Sequence, residues 1–245
     1  MPAPALLAVA HGSRDPRHAA TVRTLVRSAA ALRPGVRVET AFLDFDEPSV
    51  PKALAALAAG GAREAVAVPL LLNRAFHAKA DLPAVLRQVP PALRVRPAEA
   101  LGPSPLLLRA VERRLYETGL TPADRPATGV VLAFAGSTDP EADAAATRTA
   151  RELRRAGWYA VRPAFASAAL PRTGDAVRAL RAGGARRVAV APYVIAPGRL
   201  SDRIAKDAAG ADALAEVLGP APELARLLLD RYDRAGAPRP GRTAP

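Results

Sequence analysis

The stretch Ala5-Leu-Leu-Ala-Val-Ala-His11-Gly-Ser-Arg-Asp-Pro16 decides how the chain folds. Its first six residues are apolar without alternation, the pattern of a strand buried on both faces of a parallel sheet. The apolar run stops at His11, Gly12 and Ser13. Asp15 and Pro16 then have the chemistry of a helix N-cap followed by the first helical residue. The stretch therefore reads as strand, tight loop and helix start. In open α/β sheets, ligands bind at this carboxyl end of a strand. A histidine placed there is a candidate site residue.

Outward from this stretch, strand and helix patterns alternate. Strands are expected over 5–10, 36–43, 65–72 and 93–96, and helices over 16–32, 49–59, 82–88 and 105–117. Gly60-Gly61 stops the second helix. Residues 119–128 have no periodicity and several turn residues, and they read as a linker. The pattern then restarts. An apolar run over 129–134 leads into Ala135-Gly-Ser-Thr-Asp-Pro140, a second version of His11-Gly-Ser-Arg-Asp-Pro16. Ala59-Gly-Gly-Ala-Arg63 reappears as Ala182-Gly-Gly-Ala-Arg186, and Ala98-Glu-Ala-Leu-Gly-Pro-Ser-Pro105 as Ala215-Glu-Val-Leu-Gly-Pro-Ala-Pro222. Three matches in one order indicate a duplication. The expected organisation is a first half over 1–119, a linker over 120–128, a second half over 129–234 and a disordered tail over 235–245.

The duplication is an internal control. The Gly, Ser, Asp and Pro of the loop recur, so turn and helix geometry explain them. His11 does not recur, since Ala135 takes its place, and His77 is matched by Leu200. Phe42-Leu-Asp-Phe-Asp-Glu47 is matched by a segment beginning Phe165-Ala-Ser-Ala168, so its carboxylates are missing too. One half carries chemistry that the other lacks.

Bulk properties narrow the classes. The 245 residues are 50% hydrophobic, enough for one large or two small cores. With no cysteine, disulfides, thiolate metal sites and cysteine nucleophiles are excluded. No apolar run approaches the roughly 20 residues of a membrane span, and the N-terminal residues lack a secretion-signal pattern, so a cytoplasmic protein is expected. The formal net charge is +12, but aromatics make up only 4%. The basic residues are mostly arginines spread over helix faces. An ordinary solvated surface is expected in preference to a nucleic-acid interface, which would call for stacking platforms. The same positive field suits a polyanionic small molecule.

His11, His18 and His77 are the three histidines, and any imidazole chemistry must use them. The loops carrying His11 and His77 follow strands of one parallel sheet and share an edge. Two converging imidazoles suit Fe, Co, Ni or Zn. Asp44, Asp46 and Glu47 could complete the set, although Asp46 and Glu47 also suit a helix cap near Ser49. His18, inside the first helix and matched by Ala142, is expected to face solvent. Arg14 and Lys79 could contact substrate carboxylates. There is no nucleophile elbow, phosphate-binding loop or Gly-x-Gly-x-x-Gly motif.

With Val68-Pro-Leu-Leu-Leu-Asn-Arg-Ala-Phe-His77 added to the two motifs above, essentially the whole chain resembles the sirohydrochlorin chelatases of the CbiX/SirB type. The resemblance implies a chelatase-like α/β fold, with two similar halves, each a parallel sheet flanked by helices, facing across a cleft. It implies insertion of Co²⁺ or Fe²⁺ into sirohydrochlorin with no further cofactor. The family's metal-binding histidines fall on His11 and His77, and a family glutamate falls on Asp44, a shorter carboxylate. His11 and His77 are the expected catalytic residues. Ser13, Arg14, Arg74, Lys79 and Arg199 are candidate contacts to the polycarboxylate substrate. A monomer suffices to build the cleft, and neither nucleic acid nor membrane is an expected partner. The alternative is a non-catalytic tetrapyrrole or metal carrier of the same fold. Selection among cobalt, iron and nickel does not follow from the ligand types.

Overall fold

A computed structural model of the chain describes residues 3–72 and 89–236. The first sheet contains β1 (Ala5–Ala10), β2 (Val38–Phe42), β3 (Glu64–Pro69) and β4 (Arg94–Pro97), all parallel, in the order β2-β1-β3-β4. The second contains β5 (Thr128–Phe134), β6 (Ala160–Phe165), β7 (Arg187–Pro192) and β8 (Ala213–Leu214), in the equivalent order β6-β5-β7-β8. In each sheet the chain leaves the first strand to one side for the second and to the other for the third. The crevice at such a reversal is the ligand position of doubly wound sheets.

The helices are α1 (Pro16–Leu32), α2 (Val50–Ala59), α3 (Pro105–Tyr116), α4 (Pro140–Arg154), α5 (Thr173–Ala182), α6 (Arg199–Asp207) and α7 (Pro222–Gly236). The expected linker contains a 3₁₀ helix, Pro122–Ala127, closed by Asp124 accepting from Thr121 N–H at 2.8 Å. The expected disordered tail begins too early, because Ala235 and Gly236 belong to α7. The expected helix 82–88 lies outside the described residues.

Every residue of β1 is buried, and its side chains alternate between two cores. Ala5, Leu7 and Val9 face outward onto α2, whose Val50, Ala53, Leu54 and Leu57 form one stripe. Leu6, Ala8 and Ala10 face inward. The second sheet repeats this, with Val131 and Ala133 toward α5 and Val130, Leu132 and Phe134 inward. Both inward faces join one central core, filled by α1, α3, α4 and α7. The layers are therefore helix, sheet, a shared helical layer, sheet and helix.

Within the shared layer the two halves exchange their last helices. Helix α3 follows the first sheet but packs on β7, and α7 follows the second sheet but packs on β3 and β4. The exchange is reciprocal in detail. Arg231 on α7 donates to the carbonyls of Ala100 at 2.7 Å and Leu101 at 2.9 Å. Its counterpart Arg114 on α3 donates to the carbonyl of Leu218, the counterpart of Leu101, at 3.1 Å.

Candidate functional site

His11 stands one residue beyond β1, on a loop whose path is fixed at several points. Its carbonyl accepts from Asp44 N–H at 2.9 Å. Gly12 has φ +95°, and a Cβ there would lie 1.8 Å from the Asp44 carbonyl oxygen, so only glycine fits this crossing of loops. The Asp46 carboxylate accepts from Ser13 N–H at 2.9 Å. Ser13 Oγ accepts from Asp15 N–H at 3.1 Å, and Asp15 caps α1 by accepting from Arg17 N–H at 3.0 Å. The second copy reproduces the backbone. Gly136 has φ +93° and crosses the Ser167 carbonyl, and Asp139 caps α4 by accepting from Glu141 N–H at 2.9 Å. It differs in the side chains that sequence comparison had singled out.

The exposed imidazole of His11 stacks on Phe45, with ring centroids 6.4 Å apart and planes inclined by 22°. Arg14 places its guanidinium 5.3 Å from the same ring centroid. Phe45 is 54% exposed and has φ +62°, a strained conformation for a non-glycine residue. Ala168 holds the same conformation in the second copy, at φ +61°, without a ring. The turn belongs to the fold, and the ring belongs to the site.

Of the three carboxylates after β2, Asp44 is exposed and accepts from Phe45 N–H at 2.9 Å. Asp46 clamps the His11 loop, so it is not the helix cap the sequence suggested. Glu47 does hold the start of α2, accepting from Ser49 N–H at 3.1 Å and pairing with Lys52 at 2.8 Å. The Lys52 contact keeps the Glu47 carboxyl below its ordinary value. Both its oxygens are engaged away from His11, whereas Asp44, whose N–H donates to the His11 carbonyl, is an exposed carboxylate beside the His11 loop. His77, Arg74 and Lys79 lie outside the described residues.

Between the two sheet edges runs a cleft of about 590 Å³, within the range of small-molecule sites. One wall carries His11, Ser13 and Leu70–72. The other carries Ser137, Thr138, Tyr193 and the segment 194–201, including Arg199. Ser13 and Arg199 thus come together across the cleft, whereas Arg14 is held against Phe45. At the edge of the cleft, Arg17 bridges Asp15 and Asp202, each at 2.6 Å, and ties α1 to α6.

His18 lines this cleft and does not face solvent as expected. It belongs to the stripe that buries Val22, Leu25, Val26 and Ala29, the i+4, i+7, i+8 and i+11 positions. That spacing was visible in the sequence. Burial holds its pKa below the ordinary 6.5; Asp46 and Asp15 oppose this, and His11 adds to it. The imidazole is neutral at pH 7. An unfolded chain protonates His18 near pH 6.5, and the native chain only at lower pH. This contribution to stability is complete above pH 6.5 and is lost as the pH falls through the native value. His18→Ala is therefore expected to flatten the decline of Tm between pH 6.5 and 5. Thermal melts across that range check this, and an unchanged slope would overturn it.

The CbiX family model matches residues 5–118 and again 129–235. A sirohydrochlorin cobaltochelatase of Priestia megaterium is 28% identical over 208 residues, covering 81% of this chain and 66% of that protein. A sirohydrochlorin ferrochelatase of Bacillus subtilis is 28% identical over 214 residues, covering 83% and 78%. Among solved structures, SirB from Bacillus subtilis with Fe³⁺ superposes with a TM-score of 0.82 at 26% identity, covering 96% of both chains. A SirB from Bacillus subtilis subspecies spizizenii in complex with cobalt shares the fold, with a TM-score of 0.78 at 23% identity and 95% coverage of both.

Proposed function

Since the chain belongs to the CbiX family, we propose that it is a sirohydrochlorin chelatase that inserts a divalent metal, Co²⁺ or Fe²⁺, into sirohydrochlorin. The observation that carries this reading is the one-sided cleft. His11 stands at its edge on a loop whose backbone the second copy reproduces with alanine in its place.

Insertion exchanges one M²⁺ for two pyrrole N–H protons, and the ring nitrogens end as ligands of the metal. The metal is a substrate, so its site must hold it and then release it. His11 and His77 are the proposed metal ligands and catalytic residues, with Asp44 as the nearby carboxylate. Such a set leaves coordination positions open for the incoming ring nitrogens. The hydrogen bond from Ser13 N–H to Asp46 and the stacked Phe45 ring restrict how His11 can move. A neutral imidazole or a carboxylate can accept the released protons near pH 7. The macrocycle is a polycarboxylate. Ser13 and Arg199 are the proposed contacts from the two cleft walls, and Arg14, Arg74 and Lys79 are further proposed contacts. A monomer supplies both walls. Among the described residues, no helix is long and apolar enough to cross a membrane.

The test is spectral. Purified protein with limiting Co²⁺ or Fe²⁺ and excess sirohydrochlorin is expected to convert many equivalents of macrocycle per protein. Conversion that stops at one equivalent identifies a carrier and overturns the proposal.

A further inference from the structure

Two polar groups in the cleft have no part in the metal site just described. His18 enters from the first turn of α1 and Asp143 from the first turn of α4, so each half contributes one. His18 Nδ1 and Asp143 Oδ1 are both shielded from solvent, and neither finds a hydrogen-bond partner among the described residues. Buried polar atoms are nearly always paired, and an orphan costs free energy unless something else completes it. The repeat removes a structural explanation for either. Ala142 stands where His18 would recur, and Ala19 where Asp143 would recur. Each copy folds the same helix start with alanine at the position where the other carries the polar group. The surroundings are apolar, with Val22, Ala142, Ala146, Phe134 and Phe165 in the same lining.

An aspartate carboxylate can only accept hydrogen bonds, and neutral His18 with its proton on Nε2 accepts at Nδ1. The ligand that completes Asp143 must therefore bring a donor into an apolar floor, and His18 takes a second donor in the tautomer with its proton on Nε2. A polycarboxylate macrocycle offers acceptors all around its periphery, and Asp143 repels them. Its donors are the pyrrole N–H groups at its centre. His18 and His11 line the same cleft.

We propose that His18 and Asp143 bind the N–H centre of the metal-free macrocycle and thereby distinguish substrate from product. The proposal rests on the chelatase reading above. Metal insertion removes both donors, so the same two acceptors favour the metal-free ring and lose their partners once it is metallated. The pair positions the ring over His11 before insertion and weakens its hold afterwards. It also orients the ring, with its carboxylates directed away from Asp143 and toward residues such as Arg199.

The experiment is equilibrium titration of metal-free sirohydrochlorin and of its cobalt complex, followed by absorbance, with the wild type, His18→Ala, Asp143→Ala and the double variant. Alanine already occupies both matching positions, and thermal melts check that the variants fold. The wild type is expected to bind the metal-free ring more tightly. Each single variant is expected to lose about 10-fold in affinity for the metal-free ring, the scale of one hydrogen bond to a charged or buried group. Kd for the cobalt complex is expected to change less than about twofold. Equal losses for both rings, no loss for either, or a larger loss for the cobalt complex (axial ligation of the metal) would each overturn the inference. If the wild type turns over metal and only the discrimination is missing, the chelatase reading stands and this inference alone fails. A wild type that binds neither ring overturns both.

Discussion

His11→Ala is expected to lower the initial rate of Co²⁺ or Fe²⁺ insertion by about 100-fold or more. Loss of even an outer partner of a metal ligand costs 10- to 100-fold, and His11 is proposed to touch the metal itself. The variant is expected to fold as the wild type does. His11 contributes its carbonyl to Asp44 N–H at 2.9 Å, and Ala135 makes the same bond to Ser167 N–H at 3.0 Å. Backbone geometry at this position does not need an imidazole. The deficit is expected chiefly as a raised half-saturating metal concentration, with affinity for metal-free sirohydrochlorin little changed. Rates measured over a range of metal concentrations, beside a macrocycle titration, separate the two. A rate near that of the wild type would remove His11 from the metal site, and with it the explanation for the asymmetry of the two copies.

Arg231→Ala is expected to have the largest effect on stability, about 3 kcal/mol. The side chain is only 7% exposed. It donates to the carbonyls of Ala100, Leu101 and Pro103 at 2.7, 2.9 and 3.3 Å. Truncation leaves three acceptors facing a cavity, and each unsatisfied buried group costs about 1–3 kcal/mol before relaxation or entry of water. At this chain length a loss of about 3 kcal/mol lowers Tm by roughly 6–12 °C. Arg114→Ala is expected to cost less, because the Arg114 contacts recorded across the exchange go to a single carbonyl, that of Leu218. Thermal melts of both variants check the size and the order. A fall below about 2 °C for Arg231→Ala would mean that its three carbonyl contacts do not hold α7 in place.

The strand, loop and helix of residues 5–32 were legible because each signal there is local. A run buried on both faces, a positive-φ glycine and an Asp-Pro helix start need no distant partner to be recognised. The repeat was legible for the same reason, and its missing histidines pointed to one active wall. The helix exchange was not. The stripes of α3 and α7 show which face is apolar but not which sheet covers it, and the Gly-Pro pair before each helix, at 102–103 and 219–220, is the same in sequence in both copies. Phe45 was missed because an aromatic after a strand reads as core. Its positive φ, which turns the ring out to His11, is a backbone property that the residue type conceals. Asp143 was missed although it lies on the stripe of Ala146, Ala150 and Leu153, at i+3, i+7 and i+10. Like His18, it is a polar residue at a spacing that marks the buried face, and that spacing is the signal that could have found both.

The exchange of α3 and α7 also constrains what one copy could be without the other. A single copy would send its last helix to a sheet that is not there and leave its own third and fourth strands bare. Two identical copies could satisfy each other across a twofold axis, but every residue of one cleft wall would then stand on the other as well. The proposed metal ligand His11 would face its own copy, and so would an acceptor such as Asp143. Joining the copies in one chain keeps the mutual covering of the sheets and lifts that equality. One wall can then specialise in the cation, and the other in the ring that receives it.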